Sequence, residues 1–336
     1  MNMSKVVLHI GLPKTATTTL QKHVFFKLHK QNKINYLGKK PEAEDENKYY
    51  PLEMVINSLL NNDESEFQSK HKEYKVLVKK MIDKRKINVL SDEQLSLAIC
   101  YDFEVVCKRL KILFEEYDVS ILCFIRNQVD MMYSFYVEMY SACYYRDEDK
   151  NTIEKFYDKV VNGNDSDLTQ FNYAGISEVL WKIFGKKQVN IFLFESFVGR
   201  NKKVFKRIAD LLGVIESDVS DVFLSNIENK KKEIRGNYLS KDITVYKIVS
   251  RVAMKLKKKP SMYVLIGFVE KILAVSAFKK ITKQWLMGLT IENGVEHRRF
   301  NVDEIECIRN KFKEGNLRLL EGIDISCSDE ENYYYL

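Results

Sequence analysis

Small, basic and hydroxyl-bearing residues crowd the segment that follows the first apolar run of the sequence, Val6–Ile10. The segment reads GLPKTATTTLQ from Gly11 to Gln21. A run of small residues lets backbone N–H groups converge on an anion, and the N-terminus of a following helix adds partial positive charge. We therefore predict a loop that binds a phosphate or sulfate group, with a full positive charge from the lysine. Its residues are Gly11, Lys14, Thr15, Ala16, Thr17, Thr18 and Thr19.

The position of the lysine separates this loop from the common nucleotide-binding loop, GxxxxGK[ST]. In a window opened by Gly11, the sixth and seventh positions are Ala16 and Thr17. Lys14 comes only three residues after the glycine. A kinase or GTPase would therefore lack its usual lysine for the β- and γ-phosphates. A P-loop nucleotide kinase nevertheless stays as the first alternative.

A second anion site is predicted where the strongest apolar run ends, in the segment CFIRNQVDMMYSFY from Cys123 to Tyr136. Arg126 stands at the end of that run, and Asp130 is expected to cap the helix that follows. Ser134 comes eight residues after Arg126, about one turn inside that helix. A guanidinium and a hydroxyl placed in this way could bind one phosphate group together.

The two segments resemble the nucleotide-binding motifs of sulfotransferases that use 3′-phosphoadenosine 5′-phosphosulfate (PAPS), especially the bacterial and heparan-sulfate-modifying branches. The first is similar to the 5′-phosphosulfate loop GxPKTGTTxLQ, and the second to the 3′-phosphate motif RNPxDRxxSxY. Three positions depart from these motifs: Ala16 replaces a glycine, Gln128 a proline and Met131 an arginine. We expect Ala16 to be tolerated, Gln128 to change only the stiffness of the turn, and Met131 to remove one charge.

The resemblance implies sulfuryl transfer from PAPS to an acceptor hydroxyl or amine, with a carbohydrate as the expected acceptor. Such a transfer is an in-line displacement at sulfur. The acceptor must lose a proton, and the growing negative charge of the leaving nucleotide must be stabilised. A carboxylate is predicted to take the proton, and Lys14 to stabilise the leaving group. Adenosine 3′,5′-bisphosphate (PAP) would be the nucleotide product, and no metal ion is expected.

Candidate bases follow the third apolar run, Ile87–Leu90, in the segment Ser91-Asp92-Glu93. LSDEQL resembles the SSE-type segment of bacterial family members, which favours Glu93 as the base, with Asp92 second. Alternatively, Ser91 could cap a helix whose first turn holds the two carboxylates. His9, within the first run, is interpreted as a core residue or as a residue that supports the site from behind.

A scaffold must bring these loops together, and short β-like runs alternate with helical patterns along the chain. Such alternation predicts a three-layer α/β, P-loop-like fold with a central, mostly parallel sheet flanked by helices. Ligands bind beyond the carboxyl ends of parallel strands. The loops that start at Gly11, Ser91, Arg126 and Glu195 would meet there. The strands are expected at Val6–Ile10, Ile34–Leu37, Ile87–Leu90, Val119–Ile125 and Val189–Phe194.

Residues 1–336 are predicted to form one domain with a helical insertion over residues 230–295 and a final helix from Val302 to Leu320. Lys230–Lys232 and Lys255–Lys259 make the insertion basic, which would suit an acidic glycan or an anionic membrane surface. A non-catalytic protein that binds such a surface is the second alternative. Arg298, just before the final helix, could reach a phosphate of the nucleotide.

Composition limits the class of protein. The 336 residues are 45% hydrophobic with a formal net charge of +7, which suits anionic ligands and is too low for a dedicated nucleic-acid binder. Six cysteines occur without a CxxC pair or zinc-like spacing, so they are predicted to be reduced core residues of a cytoplasmic protein. The longest apolar stretch, Met262–Phe278, contains Glu270 and Lys271 and is too short to span a membrane. Contact with the inner membrane surface is the most that is expected.

Overall fold

The computed structural model describes residues 3–38, 52–96, 102–142, 144, 147–163, 166–199, 201–225, 238–239, 295–296 and 298–323. The chain divides into two compact units. The first contains Met1–Phe135, Tyr157–Lys230 and Phe300–Leu336, and the second contains Tyr136–Phe156 and Lys231–Arg299.

A five-stranded parallel sheet forms the centre of the first unit, in the order β2-β3-β1-β4-β5. Each of the predicted apolar runs forms one strand, because a strand that is buried on both faces needs an uninterrupted apolar sequence. The order places β1 between β3 and β4, so the loops after these three strands lie side by side at the carboxyl edge. The strands are β1 Lys5–Gly11, β2 Asn35–Tyr36, β3 Asn88–Asp92, β4 Asp118–Ile125 and β5 Val189–Leu193.

Helices occupy the connections between the strands, because parallel neighbours can be joined only by long crossovers. The predicted α/β class with a parallel sheet flanked by helices is therefore confirmed. The helix after β1 contains a π-helical turn, Leu20–Phe25, between α1 and α2. The helices are α1 Thr17–Thr19, α2 Phe26–Lys30, α3 Glu53–Asn61, α4 Glu64–Met81, α5 Phe103–Leu113, α6 Gln128–Ala142, α7 Ile153–Val161, α8 Tyr173–Phe184, α9 Phe194–Val198, α10 Lys202–Leu212, α11 Glu216–Ser225 and α12 Val302–Gly322.

Local signals in the sequence explain where several of these helices begin and end. Asp102 caps α5 by accepting hydrogen bonds from the backbone N–H groups of Glu104 and Val105. Gly213 ends α10 in the left-handed conformation with φ 65°, because glycine adopts this conformation at little cost. Asn301 and Glu304 form a capping box at the start of α12.

The main apolar cluster fixes the helix that begins at the Gly11 loop. Val24, Phe25 and Leu28 of that helix pack with Leu122 and Phe124 of β4 in one buried group. Burying one such side chain stabilises the fold by roughly 1.5–3 kcal/mol. The helix N-terminus is therefore held at a fixed place against the sheet.

The second unit is described in part. Its described side chains include a cluster of aromatic rings in which the centroids of Tyr136 and Phe156 lie 5.1 Å apart. A short antiparallel pair, β6 Tyr238–Leu239 with β7 Val295–Glu296, joins two segments near the ends of the predicted insertion. The rest of residues 230–295 and the tail from Ser326 lie outside the described residues, so the helical character of the insertion stays a prediction. Among the helices that the structure describes, none is long and apolar enough to cross a membrane.

Candidate active site

The loop after β1 has the backbone geometry of an anion-binding concavity. Lys14 and Ala16 adopt positive φ angles of 63° and 61°, and α1 begins directly afterwards at Thr17. A backbone that alternates in this way turns successive N–H groups toward one point, as in the concave nests that bind phosphate. The start of the helix adds partial positive charge at the same place. This geometry supports the anion site that the sequence predicts.

Gly11 and the threonines hold the loop in this shape. A methyl group on Gly11 would lie 2.5 Å from Thr17 Oγ1, so only glycine allows the helix to start so close to the end of β1. Thr15 Oγ1 donates a hydrogen bond to Leu12 O at 2.7 Å, and Thr17 Oγ1 donates to the same oxygen at 3.4 Å. Two of the hydroxyls predicted to face the anion therefore donate their hydrogen bonds within the loop itself. Lys14 and Thr18 are partly exposed, whereas Thr19 is buried.

Arg126 connects the second predicted anion site to the first. Its Nη1 donates a hydrogen bond to Lys14 O at 3.3 Å. Its guanidinium lies over the Phe194 ring, 5.0 Å from the centroid, and its Nη2 is 3.9 Å from Asp130. Arg126 Nε is buried and has no hydrogen-bond partner among the described residues. The structure thus brings the two loops together and leaves a buried donor on the arginine.

The turn that carries Arg126 is fixed by polar groups that are buried or partly buried. The Glu195 carboxylate accepts from the Asn127 backbone N–H at 2.9 Å, and the Tyr173 hydroxyl donates to Arg126 O at 2.7 Å. The sequence placed Glu195 at the start of a loop on this edge, but this supporting role was not predicted. Burial, the largest cause, raises the pKa of Tyr173 well above its usual value, so the hydroxyl stays protonated as a donor.

The cap of α6 differs from the prediction. The helix begins at Gln128, and the Asp130 backbone N–H donates to Asn127 Oδ1 at 3.3 Å. Asn127 is the cap, and Asp130 belongs to the first turn, so the prediction of Asp130 as the cap is wrong. Because Asp130 and Ser134 are four residues apart on one helix, they lie on the same face. The ion pair of Asp130 with Arg126 places this face, with partly exposed Ser134, on the side of Arg126.

The two departures from the family motif in this segment both point inward. Gln128 is buried, and its Nε2 donates to Asn316 Oδ1 at 2.9 Å while Asn316 Nδ2 donates to Gln128 Oε1 at 2.8 Å. The prediction that Gln128 changes only the stiffness of the turn is therefore wrong. Met131 is fully buried, with its sulfur against the Tyr173 hydroxyl. Sequence reasoning missed Asn316, since nothing in the pattern of α12 marks it.

The segment with the candidate bases starts inside β3. Ser91 pairs with His9 in the sheet and is buried, so the alternative in which it caps a helix is wrong. Asp92, the last residue of the strand, accepts from the Gln94 backbone N–H at 2.9 Å and caps a short 3₁₀ turn, Glu93–Ser96. Glu93 is exposed. The carboxylates therefore lie at the carboxyl edge beside the Gly11 loop.

Ser96 joins this segment to the Gly11 loop. Its buried hydroxyl donates to Gly11 O at 2.6 Å and lies 3.0 Å from Glu93 O. The end of β1 is thus tied to the turn that carries the candidate bases.

His9 supports the site from behind. Its Nδ1 is 2.7 Å from Ser91 Oγ, which also accepts from Gln21 Nε2 at 3.1 Å. Burial lowers the pKa of His9 to about 3, because no charged partner among the described residues offsets the desolvation of an imidazolium. A neutral ring with no exposed surface cannot reach a substrate, which agrees with the interpretation of His9 as a core residue.

Two further predicted features behave differently in the structure. Arg298 belongs to the second unit, where its Nε donates to Glu154 Oε1 at 2.6 Å, and its role toward the nucleotide stays a prediction.

Cys107 and Cys123 are buried, whereas Cys307 is exposed on α12 and departs from the predicted core position. Among the residues that the structure describes, no group of three His, Cys, Asp or Glu side chains could hold a metal ion.

The chain matches a known protein family. A model of the sulfotransferase domain family matches residues 4–281, which confirms the resemblance seen in the two motifs. None of the curated proteins matches the chain. A solved sulfotransferase from Alicyclobacillus acidocaldarius is 17% identical, covers 66% of this chain and 85% of its own, and has a TM-score of 0.41.

Two further solved structures are similar to this chain. The sulfotransferase domain from the Synechococcus PCC 7002 olefin synthase is 13% identical over 69% of this chain and 89% of its own, with a TM-score of 0.36. Retinol dehydratase in complex with androsterone and the inactive cofactor PAP is 11% identical over 98% of this chain and 84% of its own, with a TM-score of 0.38.

Proposed function

The chain belongs to the sulfotransferase domain family and is a PAPS-dependent enzyme, and on that premise we propose that it transfers the sulfuryl group to a hydroxyl or amine of a carbohydrate. The bond from sulfur to the bridging oxygen of the nucleotide breaks while a bond from sulfur to the acceptor forms. The acceptor proton passes to a carboxylate of the protein, and PAP leaves.

The described residues fit a ligand with two separate anionic ends. The concave loop at Lys14 and Ala16 offers backbone N–H groups for the 5′ end. Arg126 offers the buried Nε that lacks a partner, with Ser134 on the same side of α6, for the 3′-phosphate. When bound, PAPS supplies an activated sulfuryl group. Residues Gly11 and Lys14–Thr19 would hold its 5′ end, and Lys14 would stabilise the negative charge that grows on the bridging oxygen.

The hydrogen bonds at β3 favour Glu93 over Asp92 as the base. Asp92 accepts the Gln94 backbone N–H and caps the 3₁₀ turn, so its carboxylate already has a structural role. Glu93 is exposed beside the Gly11 loop, where an acceptor at the carboxyl edge could meet it. A base must come within hydrogen-bond reach of the proton that it takes. Asp92 is kept as the second candidate.

The observation that carries the proposal is the hydrogen bond from Arg126 to Lys14 O, which joins the two anion sites. We expect PAP at 100 times its dissociation constant to stabilise the chain by about 2.7 kcal/mol. We expect Lys14→Ala to slow transfer from labelled PAPS by about 10²-fold or more, and Glu93→Gln to slow it more than Asp92→Asn. Lys27→Ala, at an exposed lysine of α2, is the control and should change neither quantity.

The alternatives predict other results. Stronger stabilisation by ATP with magnesium than by PAP would support the P-loop kinase and contradict sulfuryl transfer. Full biological activity of the Lys14→Ala variant would support the non-catalytic binding protein. A screen of glycans, lipids and phenols with labelled PAPS tests the carbohydrate acceptor. Action in the cytoplasm, and contact of the basic 230–295 segment with the inner membrane surface, stay predictions from the sequence.

A further inference from the structure

A buried amide pair links the C-terminal helix α12 to the turn that carries Arg126. Gln128 and Asn316 exchange two hydrogen bonds, of 2.9 and 2.8 Å, and both side chains are almost completely buried. The two residues are 188 positions apart in the chain. In the family motif the position of Gln128 is a proline, which has no side-chain amide, so this link is particular to chains with an amide here.

A short path of fixed groups connects the pair to Arg126. Gln128 is the first residue of α6, two residues after Arg126, and its Nε2 is also 3.3 Å from Phe171 O. The intervening Asn127 is held by Glu195, and Arg126 O by Tyr173. Gln128 belongs to the same turn as these contacts, so a shift of Gln128 would strain them and move the strand end from which the guanidinium projects. Replacing Asn316 by leucine would take the donor away from the buried Gln128 Oε1, and a buried acceptor that loses its donor drives such a shift.

We propose that Asn316 is a positioning residue for the 3′-phosphate of the nucleotide, acting through Gln128 on Arg126. The inference rests on the proposed function, because it takes Arg126 as the residue that binds this phosphate. The role of Asn316 is indirect, through Gln128, and not on a reacting atom. Its contribution is to hold the turn so that Arg126 meets the phosphate without rearrangement.

The test measures the dissociation constant of PAP by calorimetry for the full chain. We expect Asn316→Leu to weaken PAP binding about fivefold or more. The double variant Gln128→Leu with Asn316→Leu should weaken PAP binding no further than the more damaging of the two single variants, because both changes break the same link. The double variant also removes both buried amides, so it tests the proposal even if the single variant folds poorly. Adenosine 5′-monophosphate, which lacks the 3′-phosphate, should bind wild type and variants alike.

Matched controls separate positioning from general destabilisation. Leu319→Ala removes a buried apolar side chain of α12, three residues after Asn316, and should lower the melting temperature while leaving PAP binding unchanged. Equal weakening of PAP binding by Leu319→Ala and Asn316→Leu, or unchanged binding in the amide variants, would overturn the proposal.

The background of Arg126→Met distinguishes failure of this inference from failure of the proposed function. In that background we expect Asn316→Leu to have no further effect on the affinity for PAP, because its route of action is gone. A further loss there would overturn the route through Arg126. If Arg126→Met alone leaves PAP binding intact, the assignment of Arg126 in the proposed function fails, and the inference falls with it.

Discussion

Single residues of the site carry strain that the sequence hints at only indirectly. Ala16 stands where the family motif has glycine, and its φ of 61° shows why glycine is common there. An L-residue in this conformation costs roughly 1–2 kcal/mol, and Lys14 bears a similar cost. The hydrogen bonds of Thr15 and Thr17 to Leu12 O offset part of this strain. The sequence predicted the identity of the loop, but φ angles depend on contacts that no spacing reveals.

His9 makes the stability of the fold depend on pH. In the unfolded chain it takes up a proton near its ordinary pKa of 6.5, whereas burial in the folded state lowers its pKa to about 3. Between these values the unfolded state binds more protons, so stability falls as the pH falls. From pH 7.5 to 5.5 we expect wild type to lose about 1.4 kcal/mol more free energy of unfolding than His9→Asn loses.

The measurement is urea unfolding at both pH values. His71→Asn, at a partly exposed histidine of α4, is the control and should show the same loss as wild type. If His9→Asn loses as much stability on acidification as wild type does, the neutral buried state of His9 is contradicted.

Strands and helix ends were predictable from sequence where burial or backbone conformation demands particular residue types. Each buried parallel strand appeared as an apolar run, and the end of α10 at Gly213 appeared as a glycine. The boundary of β3 was not predictable, since polar Ser91 and Asp92 extend the strand by pairing with His9 and Ile10 of β1. The π-helical turn Leu20–Phe25 was also missed, because its apolar spacing serves an α-helix equally well.

Contacts between elements can be tested at Ser96, which links the turn after β3 to the end of β1. Ser96→Ala removes the buried donor to Gly11 O and leaves that carbonyl without its hydroxyl partner. We expect the free energy of unfolding to fall by about 1–3 kcal/mol. We also expect weaker PAP binding, because Gly11 begins the anion loop.

Ser69 offers the matched comparison, since its hydroxyl donates to Glu66 O on the exposed face of α4. Ser69→Ala should change stability by no more than about 0.5 kcal/mol and leave PAP binding intact. Equal effects of the two substitutions would mean that the hydrogen bond from Ser96 to Gly11 O contributes no more to stability or PAP binding than an exposed hydroxyl does.

At the scale of the whole molecule, the first unit is assembled from segments that are distant in sequence. The strands and anion loops come from the first two thirds of the chain, but α12 completes the unit from its C-terminal part. The sequence predicted α12 as a helix, yet its packing on α8 was not predictable, because Gly315 and Asn316 follow no apolar period. The roles of Asn316 and of the side-chain-free Gly315 can be seen only when the residues that they contact are known.

The contact of α12 with α8 yields the last prediction. A Cβ on Gly315 would lie 3.1 Å from Ala174 Cβ, so the two helices meet where neither can carry a large side chain. Gly315→Leu would force them apart and should lower the free energy of unfolding by about 1–3 kcal/mol. Because Asn316 is the next residue, the stabilisation by PAP should shrink as well. Asn310→Leu adds the same side chain at an exposed position of α12 and should change neither. If the two leucine variants melt alike and respond alike to PAP, close packing of α12 on α8 is not what completes the nucleotide site.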